Sequence, residues 1–120
     1  MEKFRFLEWE AYRDAKQLLL KVLDLVKTLP KEYRFEIGSQ IIRSTLSIAL
    51  NIAEGSGKTS DKELNRFLEI AIGSAHETLA AADILHDAKL ISDDDFQDIS
   101  KRIESISSQL GGFKKSIARR

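Results

Sequence analysis

The chain has 120 residues, the size of one domain with a substantial hydrophobic core. It contains no cysteine, which excludes disulfides, thiolate zinc sites and thiol nucleophiles. Basic and acidic residues number 19 each, so no overall positive charge indicates a nucleic-acid partner. No apolar run approaches the ~20 residues of a membrane span, and charges interrupt the first residues, where a signal peptide would begin. These features predict a soluble cytoplasmic protein with no membrane partner.

The apolar residues recur every three or four positions along nearly the whole chain, which is typical of amphipathic helices. The first helix is predicted over about residues 8–28. Pro30 ends it, because proline disfavours helical geometry in the preceding residue and has no backbone hydrogen to donate. Residues 31–35 are predicted as a connection, and the second helix over about residues 36–54. Gly55 follows at the position where a left-handed residue often ends a helix.

The third helix is predicted over about residues 61–88. Ser60 and Glu63 form a capping box at its beginning, in which the serine oxygen accepts from the Glu63 amide and the glutamate reaches back. The contact face of this helix is rich in alanine and contains Gly73. We therefore expect a neighbouring helix to approach it closely.

The fourth helix, over about residues 93–117, has the clearest heptad pattern, and Ser92 with Asp95 marks its beginning. Gly111 and Gly112 are a local misfit, because a glycine inside a helix costs about 1 kcal/mol relative to alanine. We expect the helix to bend or end there, with a mobile basic tail. Four long helices with short connections predict an all-α fold, an antiparallel up-down-up-down four-helix bundle in a single domain of residues 1–120.

A phosphate-binding loop is suggested by Gly57, Lys58 and Thr59, which match the end of a Walker motif. The first glycine of that motif would fall at position 52, which is Ile52. A predicted helix, not a strand, precedes the segment. We therefore interpret these residues as a turn between two helices, with no nucleotide bound.

A di-iron centre is suggested weakly by Asp83 and His86, which have the spacing of the Glu-x-x-His pairs in ferritin-like bundles. His76 has Gly73 three residues before it, so no second motif of this kind occurs. The sequence predicts no metal and no other cofactor. No catalytic constellation and no small-molecule substrate are evident.

A polar seam runs along the second predicted helix. Its residues are spaced four and three apart, so they lie on one side of the helix, between apolar faces. Because buried polar groups must be paired, we expect this seam to bond within the bundle or to contact another subunit. A ligand or nucleic-acid site and a catalytic role are the alternatives. The seam and its possible partners on the third helix are Gln40, Ser44, Ser47, Asn51 and Glu54, with Ser74, His76 and Glu77.

Two groups of basic residues are candidates for phosphate binding. One lies at the end of the fourth helix, and the other lies near the second helix and the turn after it. The charges at the end of the fourth helix also complement its dipole, which is the simpler explanation for them. No aromatic residues are interleaved with these bases, so stacking on single strands is not indicated. The candidate residues are Lys114, Lys115, Arg119 and Arg120, and Arg43, Lys58, Lys62 and Arg66.

The segment from Arg43 to Gly55, with its Asn51-Ile52-Ala53-Glu54-Gly55 stretch, and the later Gly73-Ser74-Ala75-His76-Glu77 segment resemble the intervening-sequence proteins. This four-helix-bundle family is encoded within insertions in bacterial 23S ribosomal RNA genes. A related branch is the accessory variability determinant of diversity-generating retroelements, a strongly basic pentameric barrel that binds nucleic acid and a reverse transcriptase.

This resemblance implies a non-enzymatic homo-oligomer, a pentamer by analogy, with RNA or a reverse transcriptase as partner. Arg43 and the polar seam would lie at or near subunit contacts, and the basic residues would meet phosphates. The alternative is a protein-binding or structural module without nucleic-acid affinity. An enzyme is a third and more distant hypothesis.

Overall fold

The computed structural model describes residues 2–120, and within them the chain is helical, with no strand. The all-α architecture with four long helices is therefore confirmed. None of the described helices is long and apolar enough to cross a membrane. The elements in chain order are a 3-10 segment (Glu2–Glu8), α1 (Glu10–Lys27), the short α2 (Lys31–Tyr33), a π-helical turn (Arg34–Gly38), α3 (Ser39–Ser56), α4 (Asp61–Asp87) and α5 (Asp93–Ala118).

Both predicted helix N-termini carry their serine caps. The Ser60 hydroxyl oxygen accepts from the Glu63 amide at 3.2 Å, and the Ser92 hydroxyl oxygen accepts from the Asp95 amide at 3.1 Å. These bonds satisfy amides that have no partner within their own helices. The Glu63 carboxylate accepts from the Arg66 guanidinium at 3.0 Å. The serine half of the capping box is thus present, and the glutamate bonds to a side chain one turn later.

The connection predicted at residues 31–35 is wrong, because helical structure resumes directly after Pro30. This proline has an extended backbone, with φ −54° and ψ 143°, and it precedes the first residue of α2. Its carbonyl accepts from the Tyr33 amide at 2.9 Å. A helix start leaves its first amides without helical partners, so a residue without an amide hydrogen is tolerated there. Pro30 therefore separates two helices instead of beginning a loop.

The prediction that Gly55 ends a helix in the left-handed conformation is also wrong. Gly55 lies inside α3, and no glycine in the described part of the chain has a positive φ. A Cβ atom at Gly55 would lie 2.9 Å from Phe67 Cβ and 3.2 Å from Leu64 Cδ1. Glycine is needed here because α3 and α4 approach closely, and not because the backbone turns.

The left-handed position occurs instead at the end of α4. Lys89 has a φ of 61°. Its amide donates to the His86 carbonyl at 2.9 Å, and the Leu90 amide donates to the Leu85 carbonyl at 2.9 Å. This pair of bonds is the Schellman motif, in which glycine is the preferred residue.

The expected bend at Gly111 and Gly112 is absent from the described helix. The helix α5 continues through both glycines to Ala118. Within the described part of the chain, no neighbouring atom lies within 4 Å of a Cβ placed on either glycine, so packing does not require them. The end of α5 is held against the beginning of α4, where Arg120 Nη2 lies 3.1 Å from Asp61 Oδ1.

A similar contact joins α1 and α5. Lys21 Nζ donates to Asp95 Oδ1 at 2.8 Å and lies 3.7 Å from Asp98 Oδ2. The hydrogen bond to Asp95, followed by the charges of both aspartates, raises the pKa of Lys21 above its ordinary 10.5 despite partial burial. Farther along the same helices, Gln109 Nε2 donates to Asp14 Oδ2 at 2.8 Å.

The core lies between the four long helices and consists mainly of leucine, isoleucine and alanine. Every long helix contributes side chains with no exposed surface, so the apolar faces predicted from the periodicity meet in one cluster. The 3-10 segment lies against the end of α3, where the Arg5 guanidinium donates two hydrogen bonds to the Ser56 carbonyl, at 3.0 and 3.2 Å. The largest fully buried side chains are Leu18, Leu29, Ile41, Ile48, Ile52, Leu64, Leu68, Leu85, Ile99, Ile106, Leu110 and Val22.

We predict opposite effects for two glycine substitutions. Gly55→Ala should lower the free energy of unfolding by about 1–3 kcal/mol, because the new methyl group overlaps the base of the Phe67 side chain. Gly112→Ala is the matched control and should raise it by about 0.5–1 kcal/mol, because its site is open and alanine favours helix. Urea denaturation of both variants measures the difference. A neutral or stabilising Gly55→Ala would contradict the close approach of α3 and α4.

Candidate functional site

The polar seam of α3 faces α4. Its two residues nearest the beginning of α3, Gln40 and Ser44, form hydrogen bonds with side chains of α4. Gln40 Nε2 donates to Glu77 Oε2 at 2.8 Å. The hydroxyls of Ser44 and Thr78 share a hydrogen bond of 2.8 Å, and both side chains are buried. The Ser44 hydroxyl also lies 3.2 Å from the Ile41 carbonyl. These residues of the seam form hydrogen bonds within the chain, which is one of the two alternatives expected from the sequence. The other was a contact with another subunit.

The rest of the seam continues in the same way toward the end of α3. The hydroxyls of Ser47 and Ser74 share a hydrogen bond of 2.8 Å. Asn51 Nδ2 donates to the Ser47 carbonyl at 2.8 Å and to its hydroxyl at 3.0 Å. Glu54 lies at the exposed end, with Oε2 at 3.9 Å from Lys58 Nζ. Serine and threonine are short, so they can pair across the line on which two helices lie closest.

Two buried threonines belong to this network and were not predicted. Thr45 and Thr78 are both 0% exposed. Thr45 Oγ1 donates to the Ile41 carbonyl at 2.6 Å, and Thr78 Oγ1 donates to the Ser74 carbonyl at 2.9 Å. The four-residue spacing of Ser74 and Thr78 was the available signal, since such residues share one helix face.

The solvent side of the seam carries exposed apolar side chains. Leu46 and Leu50 of α3 are 38% and 55% exposed, and Ile70 of α4 is 40% exposed. We call these three residues the apolar row. Arg43 lies one turn before Leu46, is exposed, and has no side-chain partner among the described residues. Gly73 follows Ile70 by one turn, and no atom of the described chain lies within 4 Å of a Cβ built there. The expected close approach at Gly73 therefore does not occur within the chain.

Most of the other candidate cations lie where the turn after α3, the first turns of α4 and the end of α5 come together. We call this region the basic end. Four of its cations are paired with carboxylates: Lys58 with Glu54 at 3.9 Å, Arg66 with Glu63 at 3.0 Å, Lys114 with Glu69 at 3.7 Å and Arg120 with Asp61 at 3.1 Å. Lys62, Lys115 and Arg119 are exposed and have no such pair among the described residues. Arg43 lies three turns before the end of α3, outside the basic end.

One aromatic ring lies among these cations, which the sequence pattern did not indicate. Lys58 Nζ is 5.1 Å from the centroid of the Phe67 ring, and Arg66 Cζ is 4.6 Å from it. Phe67 itself is 8% exposed. Its ring therefore orients the two cations and offers no free face on which a base could stack.

The short segment after α3 is a turn, as interpreted from its sequence. The Gly57 amide donates to the Glu54 carbonyl at 3.1 Å, and the Lys58 amide donates to the Gly55 carbonyl at 3.1 Å. The amides of Gly57 and Lys58 thus complete the end of α3.

The two histidines have different environments. His86 Nε2 is bonded to Asp93 Oδ1, and its ring stacks on Phe96 with the centroids 4.6 Å apart. His76 Nδ1 is 2.9 Å from the Ile72 carbonyl. Within residues 2–120, no three histidine, aspartate or glutamate side chains are grouped so that they could hold a metal ion.

We predict that the Ser44–Thr78 pair couples α3 to α4 energetically. Ser44→Ala and Thr78→Val should each destabilise the protein by about 1–3 kcal/mol, because each leaves a buried hydroxyl with fewer partners. The double variant should lose less than the sum, with a coupling energy of at least ~0.5 kcal/mol. Urea denaturation of the four proteins completes the cycle, and Asn65→Ala, which removes an exposed bond to Glu69, is the control. Strictly additive losses would contradict this role.

Comparison with known proteins agrees with the geometry of the fold. A crystal structure from the S23 ribosomal protein family of Bacteroides thetaiotaomicron, described as a protein of unknown function, superposes with a TM-score of 0.82. It is 24% identical, and the alignment covers 88% of this chain and 98% of the other. No curated protein matches the sequence. The family described as 23S rRNA-intervening sequence protein matches residues 8–112, and the chain belongs to this family.

Proposed function

We propose that the chain is a non-enzymatic subunit of a homo-oligomeric ring that associates with RNA as an accessory factor. The observation that carries the proposal is the apolar row on the solvent side of a seam that is already paired within the chain. An interface between copies would cover these side chains, and the three unpaired cations of the basic end would remain available for phosphates. Reverse transcriptase is a second possible partner, by resemblance alone.

The proposed helix order is up-down-up-down. Side-chain bonds between α3 and α4 join Gln40 to Glu77 and Ser47 to Ser74, so the residue numbers rise on one helix as they fall on the other. Those between α1 and α5 follow the same rule, joining Asp14 to Gln109 and Lys21 to Asp95. Pairings in this order support an antiparallel arrangement of α3 with α4 and of α1 with α5.

A ring requires that the apolar row contact a different surface on the next copy, because a patch that contacts itself closes a dimer. Leu20 and Leu23 of α1 supply such a surface, with 49% and 36% of their side chains exposed. Gly73, which leaves open space beside Ile70, would allow a helix of another copy to approach. The pentameric number comes from the resemblance to the retroelement protein.

The proposed RNA contact is electrostatic. Exposed ion pairs contribute only about 0–1 kcal/mol, so phosphates can compete for the paired cations of the basic end as well as bind the free ones. With Lys62, Lys115 and Arg119 free in each subunit, affinity would come from repetition around a ring. A protein-binding module without nucleic-acid affinity remains the second candidate, supported by the number of cations already paired.

The ring is tested by light scattering of two single variants. Leu50→Glu, in the apolar row, and Leu20→Glu, on α1, should each reduce the wild-type oligomer to the 13.6 kDa monomer, because a charge would be buried in the interface. Phe35→Glu is the control, since Phe35 is 79% exposed and lies outside both surfaces. A monomeric wild type would overturn the proposal. If Leu50→Glu dissociates the oligomer and Leu20→Glu does not, the oligomer is a dimer and not a ring.

The RNA contact is tested by titrating a labelled 23S ribosomal RNA fragment at two salt concentrations. The triple variant Lys62→Glu, Lys115→Glu, Arg119→Glu should bind much more weakly at the lower salt concentration, where the paired cations retain part of the affinity. Each lost contact to a single strand should reduce the slope of log K against log salt by about 0.7.

The control for this titration reverses the same number of charges elsewhere, at Lys31, Lys89 and Lys101, and should retain affinity. Absence of wild-type binding at low salt would favour the protein-binding module. Equal losses in the two triple variants would show that binding depends on net charge and not on the basic end.

A further inference from the structure

A cleft of about 400 Å³ lies between α4 and α5, on a different side of α4 from the polar seam, and the proposed function does not use it. Its size falls within the range of small-molecule sites, about 300–1,000 Å³. The lining residues fall on one face of each helix, since His76 and Ala80, Leu79 and Asp83, and Phe96 and Ser100 are each four residues apart. They are His76, Leu79, Ala80 and Asp83 of α4 and Phe96 and Ser100 of α5.

The floor of the cleft is apolar and fixed in position. Leu79 and Phe96 are partly buried and pack against the hydrophobic core. The Phe96 ring is also stacked on His86 at an interplanar angle of 7°, and His86 is bonded to Asp93. The cleft therefore contains an aromatic surface whose orientation is set by neighbouring side chains.

Ser100 carries an unsatisfied polar group in this cleft. Its hydroxyl oxygen has less than 1 Å² of exposed surface and has no hydrogen-bond partner among the described residues. Buried hydroxyls are normally paired, and an unpaired one costs about 1–3 kcal/mol. Because Ser100 lines the cleft, a molecule bound there could supply the missing partner.

The rim of the cleft is negatively charged and accepts hydrogen bonds. Asp83 is exposed and has no cationic partner among the described residues. His76 lies beside it, with Nδ1 at 2.9 Å from the Ile72 carbonyl, a contact that orients the ring. A hydrolytic triad of Ser100, His76 and Asp83 does not fit, because the serine hydroxyl is unpaired and His76 is oriented by a carbonyl in place of the aspartate.

We propose that this cleft binds a small organic cation, with an ammonium group on Asp83 and an apolar body against Phe96 and Leu79. A carboxylate without a partner beside an aromatic surface matches such a ligand in both charge and shape. The hydroxyl of Ser100 would bond to a polar group on the inner part of the ligand.

The experiment uses phenethylammonium as the probe and 2-phenylethanol as its neutral counterpart, each titrated into the 15N-labelled full chain and followed by two-dimensional NMR. Phenethylammonium should give saturable shifts confined to residues 76–83 and 96–100. Its affinity should exceed that of 2-phenylethanol by at least about tenfold, because the neutral compound has no charge for Asp83.

Three variants locate the site. Asp83→Asn should lower the affinity for phenethylammonium by about tenfold and leave the affinity for 2-phenylethanol unchanged. Asp87→Asn, one turn later on α4 and outside the cleft lining, should change neither of these affinities. Ser100→Ala should raise the melting temperature and leave phenethylammonium binding unchanged. It should weaken the binding of tyramine, whose phenol hydroxyl supplies the inner polar group that phenethylammonium lacks, a combination that a purely structural serine would not give. The substitution at the exposed Asp83 leaves the core intact, which circular dichroism checks.

The proposal is overturned if wild-type protein shows no saturable shifts, or if Asp83→Asn binds phenethylammonium as wild type does. It is also overturned if the probe fails to bind while Asp83→Asn changes the mass by light scattering, since the cleft would then be a contact between copies. Loss of the oligomer by Leu50→Glu, with probe binding retained, separates this site from the proposed ring.

Discussion

The close approach of α3 and α4 is the constraint on which the rest of the structure depends. At Gly55 a single methyl group would come within 2.9 Å of Phe67, so the two backbones approach as closely as glycine allows. Farther along, short hydroxyl side chains fill the same line and bond to one another. Each pair contributes only about 0.5–1.5 kcal/mol, but an unpaired buried hydroxyl costs about 1–3 kcal/mol. These paired hydroxyls therefore fix the register of α4 on α3, because a shift of one turn would separate Ser44 from Thr78 and Ser47 from Ser74.

The same line also divides the surface of α3. On its inner side, Ile48 and Ile52 are fully buried between the long helices. On its outer side, Leu46 and Leu50 cannot reach that core, because the paired hydroxyls lie between. Their exposure is thus a consequence of how the seam is satisfied, and it leaves an apolar surface that the protomer cannot cover by itself. In the proposed ring, this relation would connect the polar seam to assembly without placing the seam residues themselves in an interface.

The structure was predicted best where a single local effect, such as hydrophobic periodicity or helix capping, determines it. Periodicity predicted the four long helices, and the serine caps at Ser60 and Ser92 predicted where two of them begin. The errors arose where tertiary contact or a second local effect decides. A glycine near a helix end is ambiguous, and at Gly55 the deciding factor is Phe67, which follows twelve residues later. The glycine pair near the end of α5 weakens the helix by propensity alone, whereas Ile117 beyond it is buried in the core and anchors that end. The pairs of Lys58 with Glu54 and of Arg66 with Glu63 have spacings of four and three residues, which the sequence offers. The partners of Lys114 and Arg120 were not predictable, because they require knowing that α4 and α5 meet.

The two sides of α4 show why one serine can be structural and another available for binding. Toward α3, the Ser74 and Thr78 hydroxyls have partners at hydrogen-bond distance, so removing either takes one partner from Ser47 or Ser44 on the facing helix. Toward α5, Ser100 contributes a buried hydroxyl that no described residue satisfies, and its removal should cost no hydrogen bond. Ser100→Ala should therefore stabilise the fold, because alanine favours helix and leaves no polar atom unpaired. Three features set the chemistry of the cleft: the Ser100 hydroxyl, the fixed Phe96 ring and the Asp83 carboxylate, which has no cationic partner among the described residues.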